Sequence, residues 1–322
     1  MRKKNSKKPL CLVTGGAGFI GSNLVDGLVA KGYRVRVLDN LSTGKKENLA
    51  SAMARIDFLK GDLRSDRDLQ KAVRGVSYVF HLGAIPSVPQ SVAQPLETNE
   101  INVTGTLKLL LASKKAGVKR LVFTSSSSTY GETSRFPTRE EDPMRPEAPY
   151  GASKIMGEYY CQVFSKVYGL ETVSLRYFNV YGLRQNPKSR YANVIPIFLR
   201  CILNNRPPEV HWDGKQSRDF VHVNDIVAAN LLAMKRPGIA GEAFNIGTHE
   251  EIRIVDCLHG IQKILKIKKL KVLHKPKRAG DARRTLADIT KARKILGYRP
   301  SVLFKQGLRD TVEWFLKHPE RL

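Results

Sequence analysis

Residues 10–22, LCLVTGGAGFIGS, decide the fold. Residues 10–14 are an apolar run that reads as a buried strand, and residues 20–31 carry a helical pattern. Between them Gly15, Gly18 and Gly21 give GxxGxxG, and Gly16, Gly18 and Gly21 also satisfy GxGxxG. Glycine permits the tight turn, lets backbone approach a pyrophosphate, and lets the helix pack close to the strand. The new helix presents free N–H groups and its positive end to the anion. Such a pattern is weak alone. Here it follows a strand and opens a helix, and Asp39 lies 18 residues beyond Gly21 at the end of a second strand. A carboxylate there accepts the hydroxyls of an adenosine ribose and repels a 2′-phosphate, so NAD is expected over NADP. Lys45 and Lys46 in the next loop soften that preference.

Working outward, residues 33–39, 56–62, 76–84, 118–126 and 171–179 read as further strands. Helical patterns fall between them, notably at 99–116 and 150–168. This alternation predicts parallel pairing and an α/β fold with a doubly wound Rossmann sheet. After Phe178 the chain turns irregular and Pro-rich, with YGLRQNPKSRY and NNRPPEV, which is loop chemistry. A smaller α/β substrate lobe is expected there. Residues 218–234, RDFVHVNDIVAANLLAM, read as a strand leading into a helix, with the strand returning to the main sheet. The expected division is a dinucleotide-binding domain (10–178 plus about 218–248), a second, smaller lobe (about 179–217 plus 249–322) and a basic arm (1–9).

Length and composition agree with this division. A chain of 322 residues suits two lobes at about 150 residues per domain. Hydrophobic residues at 42% and charged residues at 26% exclude a disordered or collagen-like chain. No stretch approaches the ~20 apolar residues of a membrane helix. The start MRKKNSKK meets only a short apolar run, so no secretory signal is expected. Cys11, Cys161, Cys201 and Cys257 form no CxxC pair, which argues against zinc and disulfides and for a reducing cytoplasm. The histidines show no metal-ligand spacing, so no metal is expected, and His81 reads as structural.

The unusual quantity is charge: 55 Lys+Arg minus 29 Asp+Glu gives +26. Such an excess favours polyanions, but charge speaks to solubility and not to fold. A solvated basic surface accounts for it, and neither nucleic acid nor membrane is expected as a partner. The charge concentrates in the N-terminal arm and in residues 263–278, KILKIKKLKVLHKPKR, which contain no acid. That stretch reads as an exposed helix end running into an edge strand.

Tyr150 and Lys154 stand four apart in YGASK, at the start of a helix, and so share one helical face. A free tyrosine has a pKa near 10. A neighbouring ammonium stabilises the phenolate, which makes the pair a general base for an alcohol. Alone, such a pair is common surface decoration. The fifth strand, however, ends in TSSSSTYG (124–131), placing Ser126, Ser127 and Ser128 where strand ends of an open α/β sheet face the ligand crevice. A serine hydroxyl both donates and accepts, so it can relay a proton to Tyr150. Asp62 ends the third strand, where it suits an adenine or serves equally as a plain turn residue.

TGGAGFIGS, the acid of DNLSTG, HLGA, TSSSSTYG, YGASK and RYFNVYG, in this order, resemble the extended short-chain dehydrogenase/reductases. More narrowly they resemble the nucleotide-sugar epimerase/dehydratase branch and its UDP-hexose 4-epimerases. The resemblance covers Leu10 to about residue 318. It implies NAD as cofactor, a UDP-sugar as substrate and a homodimer formed through the helices at 99–116 and 150–168. It places Gly15, Gly18, Phe19, Ile20 and Gly21 at the pyrophosphate, Asp39, Asn40, Ser42 and Gly44 at the ribose, and Asp62 with Leu63 at the adenine. It puts Leu82, Ala84 and Asn102 along the cofactor path and Phe178 against the nicotinamide. Ser126, Tyr150 and Lys154 become the catalytic set, with the last two also touching cofactor. Ser127, Ser128, Asn179, Asn193, Val194, Arg218, Arg278, Asp281 and Thr285 fall on the substrate side. One departure is Gly83, in HLGA where HLAA is commoner.

Dehydratases and decarboxylases of that branch carry acidic residues just before the position of Tyr130, and Ser127 and Ser128 stand there instead. The resemblance therefore implies epimerisation at carbon 4: oxidation to a 4-keto sugar, rotation in the pocket and hydride return to the other face. A bulky aromatic at the position of Thr285 excludes N-acetyl groups, so UDP-GlcNAc/GalNAc and UDP-Glc/Gal both become candidates. UDP-glucuronate epimerisation and 4,6-dehydration are the alternatives. A non-catalytic NAD- or nucleic-acid-binding relative is the distant one, supported by charge alone.

Overall fold

A computed structural model describes residues 8–187, 194–277 and 282–322. The chain forms β1 (Leu10–Thr14), α1 (Phe19–Ala30), β2 (Arg34–Asp39), β3 (Ile56–Lys60), α2 (Asp66–Val73), β4 (Tyr78–His81), α3 (Val88–Ala93) and α4 (Pro95–Asn99). It continues with α5 (Gly105–Lys115), β5 (Arg120–Ser126), α6 (Pro149–Tyr168) and β6 (Glu171–Tyr177). Then come β7 (Asn179–Tyr181), α7 (Val194–Leu203), β8 (Glu209–His211), β9 (Ser217–Arg218), β10 (Phe220–His222), α8 (Val223–Lys235) and β11 (Ala243–Ile246). The last elements are β12 (Ile252–Arg253), α9 (Ile254–Ile264), β13 (Leu273–Lys275) and α10 (Phe304–Lys317).

Seven parallel strands form the main sheet in the order β11-β6-β5-β4-β1-β2-β3. Parallel sheets are buried on both faces, and β1 is buried along its whole length. Its side chains still sort by parity. Cys11 and Val13 join the cluster that contains Leu24, Leu28, Ile226 and Ala229 of α1 and α8. Leu10 and Leu12 join the cluster of Leu69, Leu109 and Phe164 from α2, α5 and α6. A third apolar cluster joins α7, α9 and α10 through Phe198, Leu258 and Phe315, and includes Phe220 of β10. No helix of the described residues is long and apolar enough to cross a membrane.

Two sequence readings change. The strand at the start of residues 218–234 does not return to the main sheet: β10 pairs parallel with β7, and β9 antiparallel with β12. The strand that does return is β11, which lies beside β6. A parallel neighbour needs a crossover, and α8 supplies it. β11 is only four residues, AFNI, which left it hidden between two glycines. The helical pattern at 99–116 starts earlier, at Pro95, and widens to a π-helical stretch over Glu100–Thr104 before α5. The basic stretch at 263–278 does end a helix and enter an edge strand, β13, whose three residues are all exposed.

Candidate active site

Every residue read as a cofactor contact and described by the structure lies at or beyond the C-terminal ends of the parallel strands, or on α1, α6 and the π-helical stretch beside them. Strand ends of this kind form the ligand crevice of an open α/β sheet. The loop after β1 has no room for side chains. Gly15 has φ +67°, and a Cβ on it would lie 2.7 Å from the Gly83 nitrogen. A Cβ on Gly21 would lie 2.2 Å from the Gly15 carbonyl oxygen. Gly18 is the N-cap of α1, and no side chain caps that helix. The first-turn N–H groups at Phe19, Ile20 and Gly21 are therefore those a pyrophosphate would meet.

Asp39 is 7% exposed and accepts the Ala17 N–H at 2.9 Å and the Leu41 N–H at 2.8 Å, one on each oxygen. It thus ties the phosphate loop to the ribose loop, a structural duty the sequence did not reveal. Burial pushes its carboxyl up, and the two backbone bonds pull it back. Gly44 folds onto the same spot, where a Cβ would lie 2.9 Å from the Ala17 carbonyl carbon. Asn40 bridges outward, donating to Asp62 at 3.0 Å and accepting from the Ser42 N–H at 3.0 Å. Hydrogen bonds from Arg64 hold the Asp62 carboxyl well below the usual carboxylate range. These features fit an NAD, with the residues above as those that would hold it.

Beneath the loops runs a polar chain. Thr106 Oγ1 donates to the Asn102 carbonyl at 2.6 Å, so it accepts from His81 Nε2 at 2.8 Å. His81 Nδ1 then accepts from Thr14 Oγ1 at 2.8 Å, and that oxygen accepts the Gly83 N–H at 3.1 Å. Burial pushes His81 down to about 3, so the ring is neutral in this tautomer. Gly83 belongs to this contact: a Cβ there would lie 3.1 Å from Leu63 and 3.3 Å from Thr14 Oγ1. Asn102, on the π-helical stretch, exchanges bonds with the Ile85 backbone and donates to Ser153 Oγ at 3.1 Å. Its amide fixes the loop after β4, which also carries Leu82 and Ala84.

Pro149 opens α6 at its first turn, where a missing N–H costs nothing. The Tyr150 N–H donates to Ser91 Oγ at 3.0 Å, which docks the helix start on α3. The Tyr150 phenol hydrogen-bonds to Ser126. Ser126 Oγ also lies 2.5 Å from Ser128 Oγ, and it accepts the Ser128 N–H at 3.2 Å. Ser127 and Ser128 begin the tight turn Ser127–Thr129 that follows β5. Lys154 is 4% exposed and donates to the Thr124 carbonyl at 2.8 Å. Its nitrogen lies 5.7 Å from the centre of the Tyr150 ring.

Electrostatics here differ from the sequence reading, which considered only the neighbouring charge. Burial pushes the Tyr150 phenol up, and the Ser126 hydrogen bond pulls it down. Burial pushes Lys154 down to about 8. Burial therefore leaves the phenol protonated at neutral pH, since desolvation outweighs the Ser126 hydrogen bond.

On the substrate side, Asn179 Nδ2 donates to Thr285 Oγ1 at 3.0 Å, and the Thr285 N–H donates to the Ser217 carbonyl at 3.1 Å. Arg218 donates to the same carbonyl at 2.8 Å. Phe178 is buried at the junction of β6 and β7, with its ring 6.5 Å from that of Tyr130. Val194 begins α7. Asn193, Arg278 and Asp281 lie outside the described residues.

Comparison with known proteins gives the family. Residues 11–247 match the NAD dependent epimerase/dehydratase family. A UDP-glucose 4-epimerase of Mycolicibacterium smegmatis is 40% identical over 309 residues, 94% of this chain and 97% of its own length. A UDP-N-acetylglucosamine 4-epimerase of Methanobrevibacter ruminantium, solved with UDP-N-acetylmuramic acid, superposes with a TM-score of 0.92 at 40% identity, over 97% of this chain and 99% of that one. A UDP-glucose 4-epimerase of Thermus thermophilus, solved with NAD, has a TM-score of 0.87 at 38% identity, over 95% and 99% of the two chains. By this match over most of its length, and by the glycine loop, Asp39 and the Tyr150/Lys154 pair that it presents, the chain belongs to the NAD dependent epimerase/dehydratase family.

Proposed function

We propose that this chain is an NAD-dependent 4-epimerase of UDP-hexoses. The observation that carries the reading is the set of hydroxyls beside Tyr150. Ser126 bonds the phenol, and Ser128 bonds Ser126. Neither Ser127 nor Ser128 offers a carboxylate, so the acid and base needed to expel water are missing at these positions. What remains is one proton carrier at one carbon. Burial raises the phenol, and the positive charges of Lys154 and of a bound nicotinamide would favour its ionised form; as the phenolate, Tyr150 takes the proton of the sugar O4, beside or through Ser126, and later returns it. Lys154, held by the Thr124 carbonyl, keeps positive charge near the phenol while it is ionised. When bound, NAD supplies the chemistry that removes the C4 hydrogen and restores it to the opposite face. Incubation with a panel of UDP-sugars, read by NMR, is expected to give C4-inverted products. A 4-keto-6-deoxy product, or no turnover of any UDP-hexose, overturns the reading.

The sugar pocket is expected to take both plain and N-acetylated UDP-hexoses, with UDP-glucuronate the third candidate. Thr285 is small, and its hydroxyl is committed to Asn179. Thr285→Tyr fills that space. Overpacking typically costs about 1–3 kcal/mol, so kcat/KM for UDP-N-acetylgalactosamine should fall about 5- to 150-fold, and for UDP-galactose much less. Equal losses on both sugars, or UDP-galactose turnover in the parent with none of the N-acetyl sugar, would refute the pocket assignment.

The protein is further read as a homodimer. Met156, Tyr159, Val163 and Val167 are 42–66% exposed and recur along one face of α6. Leu111 of α5, 51% exposed, adds to the apolar surface of this helix pair. Contiguous apolar surface of this kind marks an interaction site, and one copy's stripe suits a second copy's by symmetry. Val163→Glu is expected to give a folded monomer by light scattering. A dimer undisturbed by that charge would place the interface elsewhere.

A further inference from the structure

We infer that Glu158 and Arg176 are positioning residues for Lys154: their buried ion pair fixes where the amine sits and how much charge it keeps. Glu158 lies one helical turn beyond Lys154 on the same face of α6 and is 0% exposed. Arg176 of β6 is 3% exposed and grips it with two nitrogens, Nε to Oε1 at 2.9 Å and Nη2 to Oε2 at 2.7 Å. The Ser125 hydroxyl also donates to Glu158. Ser125 is the neighbour of Thr124, whose carbonyl holds the Lys154 amine. The carboxylate thus clamps the end of β5 at the residue next to the anchor of the lysine. Arg176 spreads the clamp further. Its Nη1 donates to the Tyr130 hydroxyl at 2.7 Å and to the Glu140 carbonyl at 3.0 Å, and Tyr130 donates to Asn245 of β11 at 2.7 Å.

Stability alone is a poor reason for such a pair. Desolvating two charges costs so much that well-packed apolar residues often do as well or better. A role in placing and charging a neighbour explains the investment. The groups facing Lys154 are few. Among the described residues, Glu158 and Cys161 of α6 act on its charge, the Tyr150 ring lies 5.7 Å away, the neutral His81 of β4 is near, β5 offers the Phe123 ring at 5.1 Å and the Thr124 carbonyl at 2.8 Å, and Arg176 of β6 stands behind Glu158. Glu158 is the one carboxylate among them, and it favours the charged amine. Arg176 balances Glu158, so the amine feels an anion whose strength is tempered.

The two partners should therefore act with opposite signs. In protein carrying 13C-labelled lysine, with NAD bound, the Lys154 resonance is the one missing from Lys154→Arg. Its titration midpoint should fall by about one pH unit in Glu158→Gln and rise in Arg176→Gln. A merely structural pair would shift both the same way or neither, and that result overturns the inference. If either single variant fails to fold, Glu158→Gln/Arg176→Met removes both charges at similar volume and should still lower the midpoint; an unchanged midpoint there also overturns it. The kinetic consequence rests on the epimerase reading: the alkaline limb of kcat should follow the same two shifts, with KM for the UDP-sugar little changed. If the parent protein turns over no UDP-sugar, that reading fails, while the NMR titration still decides this one.

Discussion

Tyr150→Phe should lower kcat for C4 inversion by about 10²- to 10⁴-fold, the range general acid–base catalysis supplies. The fold and the NAD content should survive. The substitution deletes one hydroxyl whose contact here is Ser126, while the ring and the Tyr150 N–H bond to Ser91 remain. The loss is large because no other group can take its place. Ser126, Ser127 and Ser128 are poor bases, and Lys154 is turned to the Thr124 carbonyl. The pH profile should share the same origin. Burial lowers Lys154 to about 8 and raises Tyr150, so on raising the pH of the ligand-free chain the amine loses its proton before the phenol does. Activity that needs the ammonium must then fall as the pH rises through that value. Lys154→Arg keeps its charge throughout, so whatever activity it retains should lack this alkaline fall. Progress curves read by NMR, with NAD measured in the same preparations, check each point. A phenylalanine variant retaining a tenth of the parent rate would remove Tyr150 from the chemistry.

The parts of this protein that were legible in its sequence are those written in local spacing. A strand, three glycines and a helix announce the phosphate loop within residues 10–22, and the four-residue step from Tyr150 to Lys154 announces one helical face. What stayed hidden depends on residues far apart in the chain. Asp39 was legible as a ribose acceptor, yet its bonds to Ala17 and Leu41 follow from how two loops cross. Asn102 gains its place through a π-helical stretch, a change of register with no sequence signature. The Glu158–Arg176–Tyr130 network joins residues from α6, β6 and the loop after β5, and only folding brings them together. β11 is too short to declare itself and is recruited by its partner β6. The same division explains the tyrosine. Its charged neighbour was visible in YGASK, but its desolvation is a property of the assembled crevice.

Gly21→Ala is expected to release the cofactor. Gly21 has an ordinary helical place, so backbone conformation does not demand glycine there; space does. The added Cβ would lie 2.2 Å from the Gly15 carbonyl oxygen and 2.8 Å from the Gly16 Cα. These neighbours are backbone atoms of the phosphate loop itself, pinned by Gly15 N–H to Leu38 and Gly18 N–H to Gly15 bonds of 2.9 and 3.1 Å. Nothing nearby can rotate away, so the first turn of α1 must move off the loop, taking with it the N–H groups that face the pyrophosphate. Strain of about 1–3 kcal/mol that falls on the bound arrangement lowers affinity about 5- to 150-fold. Gly27→Ala supplies the contrast. It is on the same helix, and its added Cβ would meet Val227 of α8 at 2.5 Å, far from the loop. That variant should lose thermal stability yet purify with its NAD, whereas Gly21→Ala should purify depleted of it and bind added NAD weakly by calorimetry. Full NAD content in Gly21→Ala, or equal depletion in both, would mean that close contact between helix and loop is not what holds the pyrophosphate.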